Sequence, residues 1–347
     1  MRVLQAMAGA PHGGAEIFFE RLAAALTTKA EIEQRVLIRR DPKRTSRLRA
    51  SGVTVEELRF GGALDITTAQ RFRRAVSRFA PEAVITWMNR ATARCPKPNG
   101  RFVHVGRLGG YYNLKYYRHC DYLIGNTQSI VDYLVREGWP AERARYLPNF
   151  VPAMPAEPVH RAELTTPEDA PLLLGLGRLH SNKAFDVLLR TLAELPGTYL
   201  WLAGDGPLDG ELRRLAARLD VAERVRFLGW RDDCAALLAA ADVLVCPSRN
   251  EPLGNVVLEA WAHNVPVVAT SSDGPGALIK DRTNGILTPV DDPMALAAAI
   301  RDLIGNPALC RELAAAGHEE YRGSYSETVV TARYVEFLRE VVSQCAV

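Results

Sequence analysis

Arg178 and Lys183 lie five residues apart in GRLHSNKAFDVLL (177–189), a short polar segment between an apolar run and a helical pattern. Two cations at one strand end suit a diphosphate whose negative charge grows as it leaves; the same pair would also serve as ordinary solvated loop residues. In EPLGNVVLEAWAHNVPVVAT (251–270), Glu251 and Glu259 are eight residues apart. Between them Gly254, Asn255 and Val256 open a helix whose first-turn N–H groups can hold phosphate. Glu259, slightly more than one turn into that helix, can accept hydrogen bonds from ribose hydroxyls or simply complement the helix macrodipole. Gly13 and Gly14 follow an apolar strand pattern and precede a helix, which lets backbone N–H groups approach an anion closely; a tight strand-to-helix turn would need the same glycines. GDGP (204–207) looks like a GxG phosphate loop but reads as a strand-to-helix turn. GxGxxG, GxxxxGK[ST], HExxH and GxSxG are absent, and no His, Cys and Asp residues have metal-ligand spacing.

The elements that must position these residues follow from hydrophobic periodicity. In the C-terminal half, 171–179, 198–206, 225–230, 242–248, 266–272 and 285–290 predict strands, and 184–195, 211–219, 234–241, 256–264 and 294–305 predict helices. The N-terminal half repeats the pattern, with strands at 2–7, 34–40, 53–60, 82–88, 101–106 and 121–127 and helices at 14–28, 69–79 and 128–137. A helix is also expected within roughly 319–343. Near-continuous apolar strands alternating with helices imply parallel sheets covered on both faces. The fold class is therefore α/β with two doubly wound domains. Pro148, Pro152, Pro155 and Pro158 mark the linker. The expected domains are 1–150, joined by a C-terminal helix at about 325–347, and 151–324. In such sheets ligands bind beyond the C-terminal strand ends, where the residues above fall.

Composition narrows the classes further. The 347-residue chain is 48% hydrophobic and 24% charged, which suits a globular protein and not a disordered one. The most apolar run, Ala235 to Cys246, is too short for a membrane span and carries Asp242. The first residues read as a strand and turn, not a secretory signal. Six Cys without CxxC spacing read as reduced thiols of a cytosolic protein. The net charge of +3 conceals an asymmetry: residues 1–150 carry 25 Lys and Arg against 13 Asp and Glu, the remainder 18 against 27. The densest basic stretch is Arg39, Arg40, Lys43, Arg44, Arg47 and Arg49. It is either a solvated face or one that attracts phospholipid headgroups or a phosphorylated acceptor. Nucleic acid is not expected as a partner, since no binding motif accompanies the charge.

GGAE (13–16), GRLHSNKAFDVLLRTL (177–192), LAGDGP (202–207), VRFLGW (225–230) and above all EPLGNVVLEAWAHNVPVVAT (251–270) resemble the retaining GT-B glycosyltransferases of the large family-4 group, glycosyl transferases group 1, over essentially the whole chain. The resemblance implies two Rossmann-like domains facing across a cleft, the N-terminal one binding acceptor and the C-terminal one the nucleotide-sugar donor. It implies that Arg178 and Lys183 neutralise the donor diphosphate, with Gly13 and Gly14 adding N–H groups from the other domain. Glu251 would bond hydroxyls of the transferred sugar, Gly254, Asn255 and Val256 would give N–H groups to sugar and phosphate, and Glu259 would hold the ribose. The base would lie near Gly229, Trp230 and Arg231. Where the family places a cleft histidine, HVGRLGGYY (104–112) offers His104 or Arg107. The implied activity is transfer of a hexose-type sugar from a nucleoside-diphosphate sugar, UDP-sugar in first place, to a carbohydrate or lipid-linked acceptor hydroxyl with retention. Its setting would be surface polysaccharide or lipopolysaccharide synthesis at the cytoplasmic face of a bacterial inner membrane. No cofactor and no metal is expected: the chain lacks DxD, and Arg178, Lys183 and a helix terminus can substitute for a cation. The rivals are a nucleotide-sugar 2-epimerase of the same fold, a non-catalytic nucleotide-sugar-binding protein, and a nicotinamide-dependent dehydrogenase, which lacks its GxGxxG.

Overall fold

The computed structural model describes residues 1–10, 13–62 and 65–345. The chain divides into two compact units, Met1–Asn149 with Glu327–Val347, and Phe150–Ser326. The first unit runs β1 (Arg2–Met7), α1 (Gly14–Thr27), β2 (Glu33–Arg39), α2 (Pro42–Ala50), β3 (Thr54–Leu58), α3 (Ile66–Phe79), β4 (Ala83–Trp87), α4 (Met88–Arg94), β5 (Val103–Leu108), β6 (Tyr122–Gly125), α5 (Gln128–Arg136) and β7 (Ala144–Tyr146). Its strands form one parallel sheet in the order β3-β2-β1-β4-β5-β6-β7. β4 and β5 are buried at every position, as strands covered on both faces must be. Side-chain caps start the helices that follow: Asp41 accepts from the Arg44 N–H, Asp65 from Thr68 and Thr127 from Ile130.

The second unit contains β8 (Leu172–Leu176), α6 (Phe185–Ala193), β9 (Tyr199–Ala203), α7 (Asp209–Arg218), β10 (Val225–Gly229), α8 (Cys234–Ala240), β11 (Val243–Cys246), α9 (Asn255–Ala262), β12 (Val267–Thr270), α10 (Asp273–Leu278), β13 (Ile286–Thr288), α11 (Pro293–Gly305) and α12 (Pro307–Glu320). A π-helical turn over Tyr321–Tyr325 ends it, and α13 (Glu327–Cys345) returns to the first unit. The parallel sheet has the order β10-β9-β8-β11-β12-β13. Fully buried Trp201 and Trp261 anchor the apolar layer on one face of it. Each sheet reverses its strand order once, between β1 and β4 in the first unit and between β8 and β11 in the second. Open α/β sheets take ligands at the carboxyl ends beside that reversal. Gly13 and Gly14 follow β1, Arg178 and Lys183 follow β8, and Glu251 follows β11.

The sequence patterns missed α4, β7, α10 and α12. The first three are seven residues or fewer, too short for a period to show. The helix expected within roughly 319–343 is α13, which begins only after the π-helical turn and runs on to Cys345. No helix among the described residues is long and apolar enough to cross a membrane. The thiols of Cys95, Cys120, Cys234, Cys246 and Cys310 are free.

Candidate active site

The strand-end loop after β8 is shaped around one lysine. Gly177 adopts φ +143°, and the Lys183 stem lies over it: a Cβ at Gly177 would stand 3.2 Å from Lys183 Cε. Lys183 closes a 3₁₀ turn over Ser181–Lys183. That turn is tied to the loop after β11, because the N–H groups of Arg249 and Asn250 donate to the Asn182 carbonyl at 2.8 and 3.2 Å. Arg249 reinforces the tie by bonding Asp186 at 2.7 and 2.8 Å and Asp291 at 2.5 Å. The Lys183 ammonium is thereby paired with the Glu251 carboxylate, in a position that leaves the two side chains 23% and 11% exposed. Glu251 also accepts from the Gly254 N–H at 3.4 Å, and its carbonyl accepts from the Gly274 N–H at 2.7 Å. The same charges reach Cys246 at the end of β11. Burial pushes its thiol up to about 11, Glu251 adds to the rise and Lys183 opposes it. Gly254, at φ +75°, caps α9, and Asn255 and Val256 form its first turn.

Glu259 is the fifth residue of α9. Its carboxylate helps burial raise the Cys234 thiol to about 11, which puts it near the segment running from Gly229 to Cys234. There Gly229 adopts φ +64° and its carbonyl accepts from the Gly204 N–H at 2.7 Å. Trp230 is 63% exposed, with its indole N–H on Asp232 at 2.9 Å. Arg231 is engaged by Asp233, so its charge is already compensated. Arg178 is exposed. The glycines of GDGP answer to packing: a Cβ on Gly204 would run into the Gly177 carbonyl, and one on Gly206 into the Leu179 backbone.

In the first unit, the glycines near the head of α1 accommodate Glu16. A Cβ on Gly9 would stand 2.6 Å from Glu16 Cγ, and one on Gly13 would overlap the carboxylate. Glu16 accepts from the Ala10 N–H at 2.8 Å, while Arg44 donates to the Ala10 carbonyl at 2.8 Å. Arg44 is 1% exposed and pairs with Glu20 at 2.9 Å and Asp41 at 3.5 Å. Arg47 also bonds Glu20, at 2.7 and 2.8 Å. The basic stretch is therefore smaller than its sequence implies. Arg44 is an internal pin and Arg47 is paired, while Arg39, Arg40, Lys43 and Arg49 are exposed.

His104 and Arg107, expected at a cleft, are instead interior residues of β5. His104 is 1% exposed; its Nδ1 donates to the His119 carbonyl at 3.2 Å, which leaves Nε2 to accept from the Thr86 hydroxyl at 2.9 Å. Burial holds its pKa down at about 4, so the ring is neutral near pH 7. The Arg107 guanidinium lies between the rings of Phe18 and Trp87, 4.7 and 4.4 Å from their centroids. It donates to Tyr334 Oη at 3.0 Å and to Asn149 Oδ1, fastening α13 to the sheet of the first unit. Neither side chain is offered to a ligand in this arrangement. Sequence reasoning missed Asn182, Arg249 and Gly274, which hold the Lys183–Glu251 pair in place. Only Gly274 carried a local signal, as a glycine just past a strand.

Fold and site together define a two-unit Rossmann-like α/β protein with a charged, glycine-shaped strand end at the reversal point of its second sheet. The model of the family described as glycosyl transferases group 1 matches residues 170–306. The lipopolysaccharide core biosynthesis glycosyltransferase LpsE of Rhizobium meliloti (strain 1021) is 38% identical over 330 residues, covering 94% of this chain and 96% of LpsE. LpsD of the same organism is 35% identical over 340 residues, covering 96% of each. The chain belongs to the group 1 glycosyltransferase family. Among solved structures, Anabaena HepE in complex with UDP superimposes with a TM-score of 0.85 at 21% identity, over 98% of this chain and all of HepE. A glycosyltransferase from Rickettsia africae gives 0.88 at 17%, over 98% of each. The fold is GT-B.

Proposed function

We propose that this glycosyltransferase moves a hexose from a nucleoside-diphosphate sugar, UDP-sugar first among them, to a carbohydrate hydroxyl with retained configuration, in lipopolysaccharide core synthesis. The observation that carries the reading is the Lys183–Glu251 pair set beside the glycine-capped start of α9 at the sheet reversal. A cation and a helix N-terminus at one strand end suit a leaving diphosphate. In this reading Arg178 and Lys183 stabilise the phosphate charge that grows as the sugar departs. Glu251 accepts hydrogen bonds from the sugar once the ligand draws Lys183 toward phosphate. The first turn of α9, through Gly254, Asn255 and Val256, receives sugar and phosphate oxygens. Glu259 holds the ribose, and the exposed Trp230 stands where a base would stack. Gly13 and Gly14 are N–H donors to an anion in the first unit. The names of LpsE and LpsD support the pathway, and the UDP and UDP-glucose complexes of HepE support the donor.

Incubation with UDP-, GDP- and ADP-sugars, with and without a core oligosaccharide acceptor and in excess EDTA, tests the reading. Acceptor-dependent release of nucleotide that persists in EDTA is expected, since protein cations serve in place of a metal. Release of an isomerised donor without acceptor would make the chain an epimerase instead. Calorimetry then separates the two glutamates. Glu259→Gln should weaken binding of free UDP, whereas Glu251→Gln should lower turnover while UDP affinity stays close to that of the unmodified chain. Equal loss of nucleotide affinity in both variants would refute that division.

A further inference from the structure

The reversal side of the first sheet carries a second row of groups that the donor reading leaves unused. β4, β5 and β6 are adjacent, with Trp87 opposite Arg107 and Leu108 opposite Gly125. The residues just beyond these strand ends, Asn89, the Gly109–Tyr112 segment and Asn126, therefore stand at one level across three neighbouring strands. Asn89 Oδ1 and Asn126 Oδ1 are both buried and lack a hydrogen-bond partner among the described residues. Asn126 is only 5% exposed. A buried amide oxygen left unpaired is destabilising, and native proteins hold few of them. Met88, immediately before Asn89, adopts φ +59°, an unfavourable backbone state for a residue with a side chain, and one that clusters at ligand sites.

The segment between the two asparagines is aromatic and rigidly based. Four of the chain's eleven Tyr fall within residues 111–117. Tyr117 is fully buried and packs with Leu108, Leu123 and Ile130. The Tyr133 hydroxyl donates to the Tyr112 carbonyl at 3.0 Å, and its ring meets Tyr111 edge-on at 5.3 Å. Tyr111 and Tyr116 are nonetheless 49% and 38% exposed. Lys115 stands 5.0 Å over the Tyr116 ring. Residues 83–120, which supply two of the three strand ends, contain seven Lys and Arg and no Asp or Glu.

We propose that Asn89, Tyr111 and Asn126 form a subsite for an anionic sugar ring of the acceptor. Ring hydroxyls donate to the two amide oxygens. The apolar C–H face of the sugar lies on the Tyr111 ring, as aromatic side chains with a polar rim allow. Lys115 attracts the carboxylate or phosphate of the sugar. The subsite rests on the reading that the acceptor is a carbohydrate.

NMR titration of the full chain with glucose, glucuronate and glucose 6-phosphate, without donor, tests it. The Asn126 side-chain amide should shift with the anionic sugars, which should bind roughly two- to fivefold tighter than glucose, the scale of an exposed ion pair. Preference for glucuronate assigns the carboxylate as the recognised group, and preference for glucose 6-phosphate the phosphate. Asn126→Leu should weaken binding of the preferred sugar by roughly tenfold or more. Its thermal midpoint should not fall, because an unpaired amide is replaced by an apolar group of similar size. Asn89→Leu is the second variant with the same two readouts. No binding of any of these sugars, unchanged titrations in both variants, or a lowered midpoint in both would overturn the proposal. If the sugars bind through this row but no nucleotide-sugar is turned over, the transfer reading falls and the row stands. Turnover with sugar binding unaffected in both variants means the reverse.

Discussion

Lys183 has two physical roles that a single substitution would confuse. Its stem crosses Gly177 and its ammonium balances the mostly buried Glu251 carboxylate. Lys183→Ala should lower kcat/KM by a factor corresponding to about 2–4 kcal/mol of lost phosphate stabilisation. It should also lower folding stability by about 1–3 kcal/mol, because Glu251 is left without its charge partner. Adding Glu251→Gln should restore most of the stability and none of the activity. Urea unfolding beside steady-state kinetics on the single and double variants checks this, and a double variant with recovered turnover would remove Lys183 from the phosphate site. His104 gives a pH prediction of the opposite kind, purely structural. Its pKa is about 4 in the folded chain against an ordinary 6.5. Between those values the unfolded chain takes up a proton that the folded one refuses. Stability therefore falls as the pH drops from 6.5 toward 4, by roughly 3 kcal/mol from this residue. In His104→Gln that portion of the acid dependence should vanish. An unchanged pH–stability curve in the variant would mean that the ring takes up its proton in the fold as readily as in the unfolded chain.

The loop after β11 owes its shape to α10 as much as to its own residues. A Cβ on Gly274 would come within 2.5 Å of the Leu253 carbonyl carbon, 2.6 Å of the Glu251 oxygen and 2.7 Å of the Gly254 nitrogen. All three are backbone atoms, so the loop must move. Gly274→Ala should cost about 1–3 kcal/mol of stability and weaken UDP binding by roughly tenfold, since Glu251 and the head of α9 shift together. Calorimetry with UDP and a urea midpoint would show it, and unchanged values for both would make the loop independent of α10. This contact was invisible in the sequence, where Gly274 looks like any turn glycine. The strands were legible because parallel strands buried on both faces are continuous apolar runs, as in AVITW and LLLGL. Asn306 and Pro307 did carry the cap and first-turn signals of α12, but the alanine-rich segment behind them has little apolar contrast. The candidate residues around Glu251 were legible as a local motif. Their pairing with Lys183, 68 positions away, was not, and neither was the burial of His104, since a fully buried strand shows no alternation to say which side chains face inward.

At the scale of the molecule, charge is divided rather than balanced: residues 1–150 hold a surplus of twelve basic residues and the rest a deficit of nine. Such a division orients a protein near an anionic surface. Of the six residues in the densest basic stretch, only Arg39, Arg40, Lys43 and Arg49 remain for that purpose, because Glu20 holds both Arg44 and Arg47. Reversing the charge of these four to Glu should leave the fold intact, since all are exposed. Reversing Arg44 should instead disrupt it, by placing a third carboxylate beside Glu20 and Asp41. If the four meet anionic lipid, each contributes about 1 kcal/mol near the surface, so together they would raise the bound fraction by roughly a thousandfold. Co-sedimentation with vesicles rich in phosphatidylglycerol should then be strong at low salt and fall as the Debye length shortens to about 8 Å at 0.15 M. The fourfold variant should lose vesicle binding while keeping UDP affinity, because none of the four is among the residues proposed for the nucleotide. Equal sedimentation of the variant and the unmodified chain would show that these four residues are merely solvated. Loss of transfer to a phosphorylated acceptor without any vesicle binding would assign them to substrate capture.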